Sequence, residues 1–314
     1  MKTAAKLILE DTQTIRLLPR WVTLPRDETP DTVAFASGAA LATLDRVLRD
    51  PAATVPVALL RDRMALRAAE ACLKLEGRSE TAADIRDAVC LARPVRLARP
   101  ERRGRAGDAL GPAGDMFANW RKLARINPIP SGGKDRVIRL LPEQVAEVMP
   151  DIKPHSGSPV GQAAQILEVA LRQFPRQEAA ALMLADVTLA RALGWDRVMP
   201  LLATHLKRTD IRAIAEGEGD PVLCVHRAMV AGCDKVIRSA ADLSRRADKL
   251  RTIAPKLRAK GSDEALDLFL SHDALMPAAL PLTDRAARRL CDRLVNLGVV
   301  RELTGRATFR LYGL

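Results

Sequence analysis

The sequence predicts an all-α protein, a multi-helix bundle body closed by a C-terminal winged helix-turn-helix that carries a small β-hairpin wing. Three observations predict it. Aromatic residues make up 3% of the chain while hydrophobic residues make up 48%. The core must therefore be built from Leu, Ala and Val, which pack between helices better than in a β-sandwich. Apolar residues recur at intervals of three and four along most of the chain, the period of a helix face. Residues 282–314 depart from that period and read as one helix, a glycine turn and two short β-prone runs.

The elements follow in order. Residues 1–30 read as an extended N-terminal arm, because Pro19, Pro25 and Pro30 block a long helix. Trp21 is the residue expected to pin this arm to the body. Asp31–Arg49 reads as a helix whose small residues Ala36, Ser37, Gly38, Ala39 and Ala40 admit a close neighbour. Val57–Glu76 is a second helix, stopped at Gly77. Thr81–Ala92 is a third, capped by Ser79 or Thr81. Residues 31–92 are thus expected to form an N-terminal helical bundle. Residues 93–114 break the pattern with Arg93, Arg96, Arg99, Arg102, Arg103 and Arg105 among prolines and glycines. They read as a linker, with a phosphate-binding arm as the weaker alternative.

A central helical domain is expected over 115–260. Its helices are Asp115–Arg125, Pro142–Met149, Val160–Arg172 and Gln177–Leu193, then a corner at Gly194-Trp195 and a continuation over Met199–Lys207. A long helical region covers Pro221–Lys260, and from Lys235 onward it carries a basic face. Residues 261–314 form the winged helix. Glu264–Leu270 and Asp273–Leu280 supply its first two helices, the second kept short by Pro277 and Pro281. Thr283 sits at the N-cap of the third, with Asp284 complementing the positive helix end. Ala287, Leu290, Cys291, Leu294 and Leu297 form its apolar stripe, and Gly298 ends it. Val299–Leu303 and Ala307–Tyr312 flank Thr304-Gly305-Arg306 as a hairpin.

The net charge of +12 and a pI near 10.0 point to an anionic partner, double-stranded DNA first. The expected DNA contacts are Thr283, Arg285, Arg288, Arg289 and Arg293 on the third helix, with Arg301, Arg306 and Arg310 on the wing. Arg285, Arg288 and Arg289 would approach a major groove, where Arg bonds guanine bidentately, and Arg306 a phosphate or the minor groove. The alternative is a solvated arginine face on a module that docks a protein partner or a second copy of the chain.

Little in the sequence points to catalysis. Cys224-Val-His226 with Cys233 fits no standard zinc spacing and lacks a fourth ligand, so neither metal nor cofactor is expected. Ser131-Gly-Gly-Lys134 lacks the spacer and terminal Ser/Thr of a phosphate loop. Five dispersed cysteines read as reduced, buried thiols of a cytoplasmic protein. The apolar run near the N-terminus is broken by Glu10 and Asp11, so no signal peptide is expected. No apolar run reaches the roughly 18 residues of a membrane span.

The run from Leu294 to Tyr312 is similar to the C-terminal winged helices of bacterial Fic-type proteins. The Fic active-site motif is not matched: His155-Ser-Gly-Ser-Pro-Val-Gly161 lacks its Phe, carboxylate and Asn. An enzyme related to that family, with His155 or His226 in its site, is the least favoured reading. The chain as a whole resembles domain-of-unknown-function family 1403. Pro19-Arg20-Trp21, Ala34–Leu41, Leu182–Leu202 and Ile253–Gly261 carry that resemblance. It implies an alphaproteobacterial protein, often plasmid-borne, with no established activity.

Overall fold

The longest helix of the computed structural model, Pro221–Ile253, packs along its length against five other helices. The structure describes residues 15–24, 27–50, 54–92, 110–148, 157–257, 261–306 and 308–314. Among them the α-helices are α1 Arg20–Thr23, α2 Pro30–Arg49, α3 Val57–Leu75, α4 Ala82–Ala92, α5 Gly111–Leu123, α6 Ser131–Ile138 and α7 Glu143–Val148. They continue with α8 Pro159–Gln173, α9 Glu178–Ala192, α10 Arg208–Glu216, α11 Pro221–Ile253, α12 Ser262–Ser271 and α13 Asp284–Asn296. The described β-structure is one antiparallel pair, β1 Arg301–Glu302 with β2 Tyr312–Gly313, and an isolated bridge from Leu275 to Tyr312.

Three of the long helices begin the same way. Thr29, Ser158 and Asp220 each accept from a backbone N–H three residues on, at 3.3, 3.1 and 3.0 Å, and each is followed by proline. A short polar cap satisfies an orphan donor while proline pre-sets the first helical φ. The small-residue stretch of α2 buries Ala36, Ser37, Ala40 and Leu41, and α2 packs closely on α11. On α11 the matching face buries Val225, Ala228, Met229, Gly232, Cys233, Val236 and Ile237. α8 packs on α11 and, more extensively, on α9, while α3 packs on α5. Asp62 of α3, only 1% exposed, holds Arg121 and Arg125 at 2.8 and 3.0 Å and so ties α3 to the end of α5. Residues 31–92, 115–257 and 261–314 contribute to one continuous hydrophobic cluster.

The structure departs from the sequence expectation at several places. Arg20–Thr23 makes one helical turn within the arm expected to be extended, and exposed Trp21 stacks on Phe35 with ring centroids 5.7 Å apart. α5 starts at Gly111, inside the expected linker, whose arginines Arg93–Arg105 lie outside the described residues. Ser131–Ile138 and Arg208–Glu216 are further helices. Met199–Lys207 is not a helix but a buried turn-rich segment. Pro200 disfavours helical backbone at Met199, and Asp186 of α9, 1% exposed, accepts from the backbone N–H groups of Leu201 at 3.2 Å and Leu202 at 3.4 Å, fixing the segment against α9. Leu201 then lies so close to α11 that a Cβ on Gly232 would stand 2.9 Å from its carbonyl oxygen.

Burial pushes the Asp186 carboxyl up to about 8, against the opposing pull of the Leu201 and Leu202 N–H groups. Its folded pKa lies above its unfolded one. Its contribution to stability is therefore fully present below the unfolded pKa, about 3.9, and is lost as pH rises through the folded value. Substituting Asp186→Ala strands two buried donors and is expected to cost about 1–3 kcal/mol at pH 6. Urea unfolding across pH 5–9 should show this substitution lowering stability at acid pH and removing that part of the decline with rising pH.

Candidate nucleic-acid interface

The C-terminal unit begins at α12 and turns at Leu275, which pairs with Tyr312 through two backbone bonds of 2.8 and 2.9 Å. The segment Asp273–Leu280, expected as a second helix, is instead this extended contact followed by a 3₁₀ turn at Pro277–Ala279. Leu275 commits its N–H and carbonyl to Tyr312, and Pro277 carries no N–H to continue a helix. α13 follows, then the hairpin.

α13 separates its two faces cleanly. Ala287, Leu290, Cys291 and Leu294 are buried, while Arg285, Arg288, Arg289 and Arg293 are exposed. None of these four arginines makes an ion pair among the described residues, and neither does exposed Arg301 on β1. Thr283 occupies the N-cap with extended backbone, and its carbonyl accepts from Ala287 at 2.8 Å. Its hydroxyl makes no cap bond, unlike the expectation, so the first turn relies on Asp284. Gly298 takes φ +64°, the left-handed conformation of a helix C-terminal glycine, and a Cβ there would stand 3.5 Å from Lys249 Nζ of α11. Leu297, placed in the apolar stripe by its spacing, is 39% exposed.

The wing is built around Glu302. Its carboxylate accepts from the backbone N–H of Thr304 and of Gly305, each at 2.8 Å, and from the Thr304 hydroxyl. Burial alone would raise this carboxyl; the Thr304 and Gly305 bonds outweigh it and hold it below the ordinary range. Arg310 donates to the Arg306 carbonyl at 3.1 Å. Arg288 and Arg310 share a cleft of about 480 Å³ with Asp284, Asp292, Phe309 and Tyr312. Arg306 is turned the other way. Its guanidinium pairs with Asp87 of α4 at 2.6 Å, so the wing tip rests on the body.

Another anchor fixes the unit to the same part of the body. Asp273, 7% exposed, lies between Arg63 of α3 at 3.0 Å and Arg86 of α4 at 2.6 Å, and Arg63 also bonds the backbone oxygen of Leu314. Burial would raise the Asp273 carboxyl, but the charges and hydrogen bonds of Arg86 and Arg63 hold it below the usual carboxylate range. Gly313 packs directly on the Asp273 carbonyl, where a Cβ would collide. These anchors were not legible in the sequence. Asp273 is separated by 210 and 187 positions from its two partners, and no local pattern links them.

The basic face of α11 is largely self-neutralised. Arg238 pairs with Asp234 at 2.7 Å, Arg245 and Arg246 with Asp242 at 3.4 and 2.9 Å, and Arg251 with Asp248 at 3.1 Å. Among the described residues no group of His, Cys, Asp or Glu is placed to hold a metal. His226 Nδ1 is bonded to Ser37 Oγ at 2.5 Å instead, and His155 lies outside the described residues. Burial pushes the Cys72 and Cys291 thiols up to about 12 and raises Cys233 as well, so these three are poor nucleophiles. No helix among the described residues is long and apolar enough to cross a membrane.

The molecule is thus a mostly helical protein with a C-terminal helix-and-hairpin unit whose exposed helix face is basic. The chain belongs to the family described as "Protein of unknown function (DUF1403)", whose model matches residues 6–314. No curated protein matches it.

Replacing Asp273 with Ala leaves two guanidinium groups facing each other without their anion, at an expected cost of about 3–5 kcal/mol. The folded pKa is depressed, so the wild-type contribution is present above the unfolded pKa of about 3.9 and is lost as pH falls through the lower folded value. Unfolding free energies measured from pH 7 down to pH 2 should show a shallower acid limb in the Asp273→Ala variant.

Proposed function

We propose that residues 261–314 form a winged helix-turn-helix that binds double-stranded DNA, in a cytoplasmic protein of the regulator or plasmid-maintenance type. The order of elements supports this reading. α12, the strand-like contact at Leu275, the 3₁₀ turn, α13 and the hairpin follow one another as the parts of a winged helix do, with the middle helix reduced to a turn. The likeness of the tail to the wings of Fic-type proteins, and the alphaproteobacterial plasmid setting that the family resemblance implies, point the same way.

The observation that carries the reading is the arginine face of α13. Arg285, Arg288, Arg289 and Arg293 stand exposed on one side with no acidic partner among the described residues, whereas Arg238, Arg245, Arg246 and Arg251 of α11 are each matched by an aspartate. Four unpaired guanidinium groups within three helical turns repel one another, and a polyanion relieves that repulsion and releases its counterions. Arg285, Arg288 and Arg289, on the N-terminal half of the helix, are the groups that would reach base edges. Arg293, Arg301 and Arg310 would meet phosphates, and Thr283 would offer a hydroxyl. Arg306 would contribute only by leaving Asp87.

One observation favours a second reading, in which the unit docks a protein partner or a second copy. The hairpin is held to the body through the Arg306–Asp87 pair and the bond from Arg63 to the Leu314 backbone oxygen, so the wing serves as a clasp irrespective of DNA. Neither reading assigns a reaction to the protein.

Fluorescence anisotropy on a random duplex of about 30 base pairs, repeated across a salt series, separates the two. The DNA reading expects a steep salt slope. It also expects Arg285→Ala with Arg288→Ala to weaken binding at least about tenfold, and Arg293→Ala, which removes a phosphate contact, to lower the slope by about 1. Unchanged affinity in a folded double variant, or no binding near physiological salt, would replace it with the docking reading.

A further inference from the structure

Away from the arginine face, α2 presents an apolar outer side where a surface helix is ordinarily charged. It buries Val33, Ala36, Ser37, Ala40, Leu41, Leu44 and Val47 on one side, toward α11. Asp31, Phe35, Gly38, Ala42 and Arg46 follow one another at three or four residues on the opposite side, and all five are exposed. Residues 32–44 contain no charged side chain, in a chain that is 28% charged. Phe35 is 69% exposed, and Trp21 of α1, 54% exposed, stacks on it. No other aromatic side chain of the protein is exposed, and Leu24, exposed three positions after Trp21, adds to the same patch. Large apolar groups gathered at a surface mark a contact with another molecule.

Gly38 lies at the middle of this face. Glycine is disfavoured in a helix interior relative to alanine. Where it occurs it commonly admits a close neighbour, as Gly232 of α11 admits Leu201. A Cβ on Gly38 would meet nothing within 4 Å, so no contact among the described residues uses its missing side chain. The face is also complementary to itself. Let two copies of α2 cross antiparallel about a two-fold axis between positions 38 and 39. Phe35 of each copy then lies opposite Ala42 of the other, large against small, and Asp31 lies opposite Arg46. Neither Asp31 nor Arg46 makes an ion pair among the described residues. A parallel crossing would set each of these charges against its own copy, so charge selects the antiparallel one.

We propose that the protein forms a two-fold dimer through the outer faces of α2. Gly38 lets the two backbones approach at the axis, Phe35 of each copy seats on Ala42 of the other, and Asp31 pairs with Arg46 at both ends. Trp21 and Leu24 of α1 flank the crossing on each side. α2 is about 30 Å long, and with the α1 residues the contact fits the lower end of the roughly 1,200–2,000 Å² of specific interfaces. A dissociation constant on the order of 10 µM is expected. This inference does not rest on DNA binding and concerns a different surface from α13.

Sedimentation velocity of the full chain from about 1 to 100 µM tests it, since mass action moves a self-associating chain from monomer to dimer across that range. Ala42→Glu and Gly38→Leu should each weaken dimerisation at least about tenfold, with circular dichroism unchanged because both positions are exposed. Asp31→Arg alone and Arg46→Asp alone should each weaken it about fivefold or more, by setting like charges opposite one another. The two together exchange the charges and should return the dissociation constant to within about threefold of the wild-type value, which a contact in any other register would not do. If the Asp31→Arg helix does not form, Ala42→Glu and Gly38→Leu decide. A chain that stays monomeric throughout, a dimer indifferent to Ala42→Glu and Gly38→Leu, or a folded charge-exchanged variant that does not recover would overturn the proposal.

Discussion

The placement of the whole C-terminal unit depends on one buried carboxylate. Asp273 is held between Arg63 and Arg86, on two different helices of the body. Removing any of the three leaves a charge in a site largely closed to water, which is far more costly than losing a surface pair. Because the arginines arrive from separate helices, the carboxylate also fixes the angle at which α12 hands the chain to the hairpin. Gly313 completes the fit by bringing β2 against the Asp273 backbone, a spacing that any side chain would break. The arginine face of α13 therefore has a fixed orientation relative to α3 and α4.

The body solves a different problem. With so few aromatics, its core must reach density through small residues that let backbones approach. Gly232 of α11 does this against Leu201, and the alanines of α2 do it along the contact between those two helices. Close approach leaves little room for error, and the interior carries its own polar fixings. Asp186 holds the Leu201–Leu202 backbone, Asp62 gathers two arginines, and Trp195 donates its indole N–H to Asp45 at 2.7 Å.

What was legible in the sequence follows from this division. α2, α3, α8, α9 and α13 declare themselves through local signals, namely apolar spacing, a capping residue, a following proline or a terminal glycine. Those signals act within a few residues. The errors fall where a distant group overrides local preference. Met199–Lys207 has helical spacing, yet Asp186 claims its N–H groups. Asp273–Leu280 looks like a short helix, yet Leu275 pairs with Tyr312. Arg306 reads as a free wing-tip cation, yet Asp87 reaches it from a helix far earlier in the chain. The arginines of α13 and α11 look alike in sequence. Both helices place aspartates three or four positions from arginines, and only the conformations differ: the α11 pairs close, whereas Asp284 and Asp292 of α13 make no ion pair with its four arginines among the described residues.

α11 is common to both ends of the molecule. Its N-terminal half contributes Arg227, Val230, Asp234 and Lys235 to a groove beside α2, and Lys249 on its C-terminal half stands beside Gly298 at the end of α13. About 14 positions separate Lys235 from Lys249, or roughly 21 Å along the axis at 1.5 Å per residue. An uninterrupted helix of this length behaves as a stiff rod, because bending it requires several backbone hydrogen bonds to lengthen together. Any pivot of α11 about its packing on α2 would thus be delivered, as by a lever arm, to the place where the arginine-bearing helix ends.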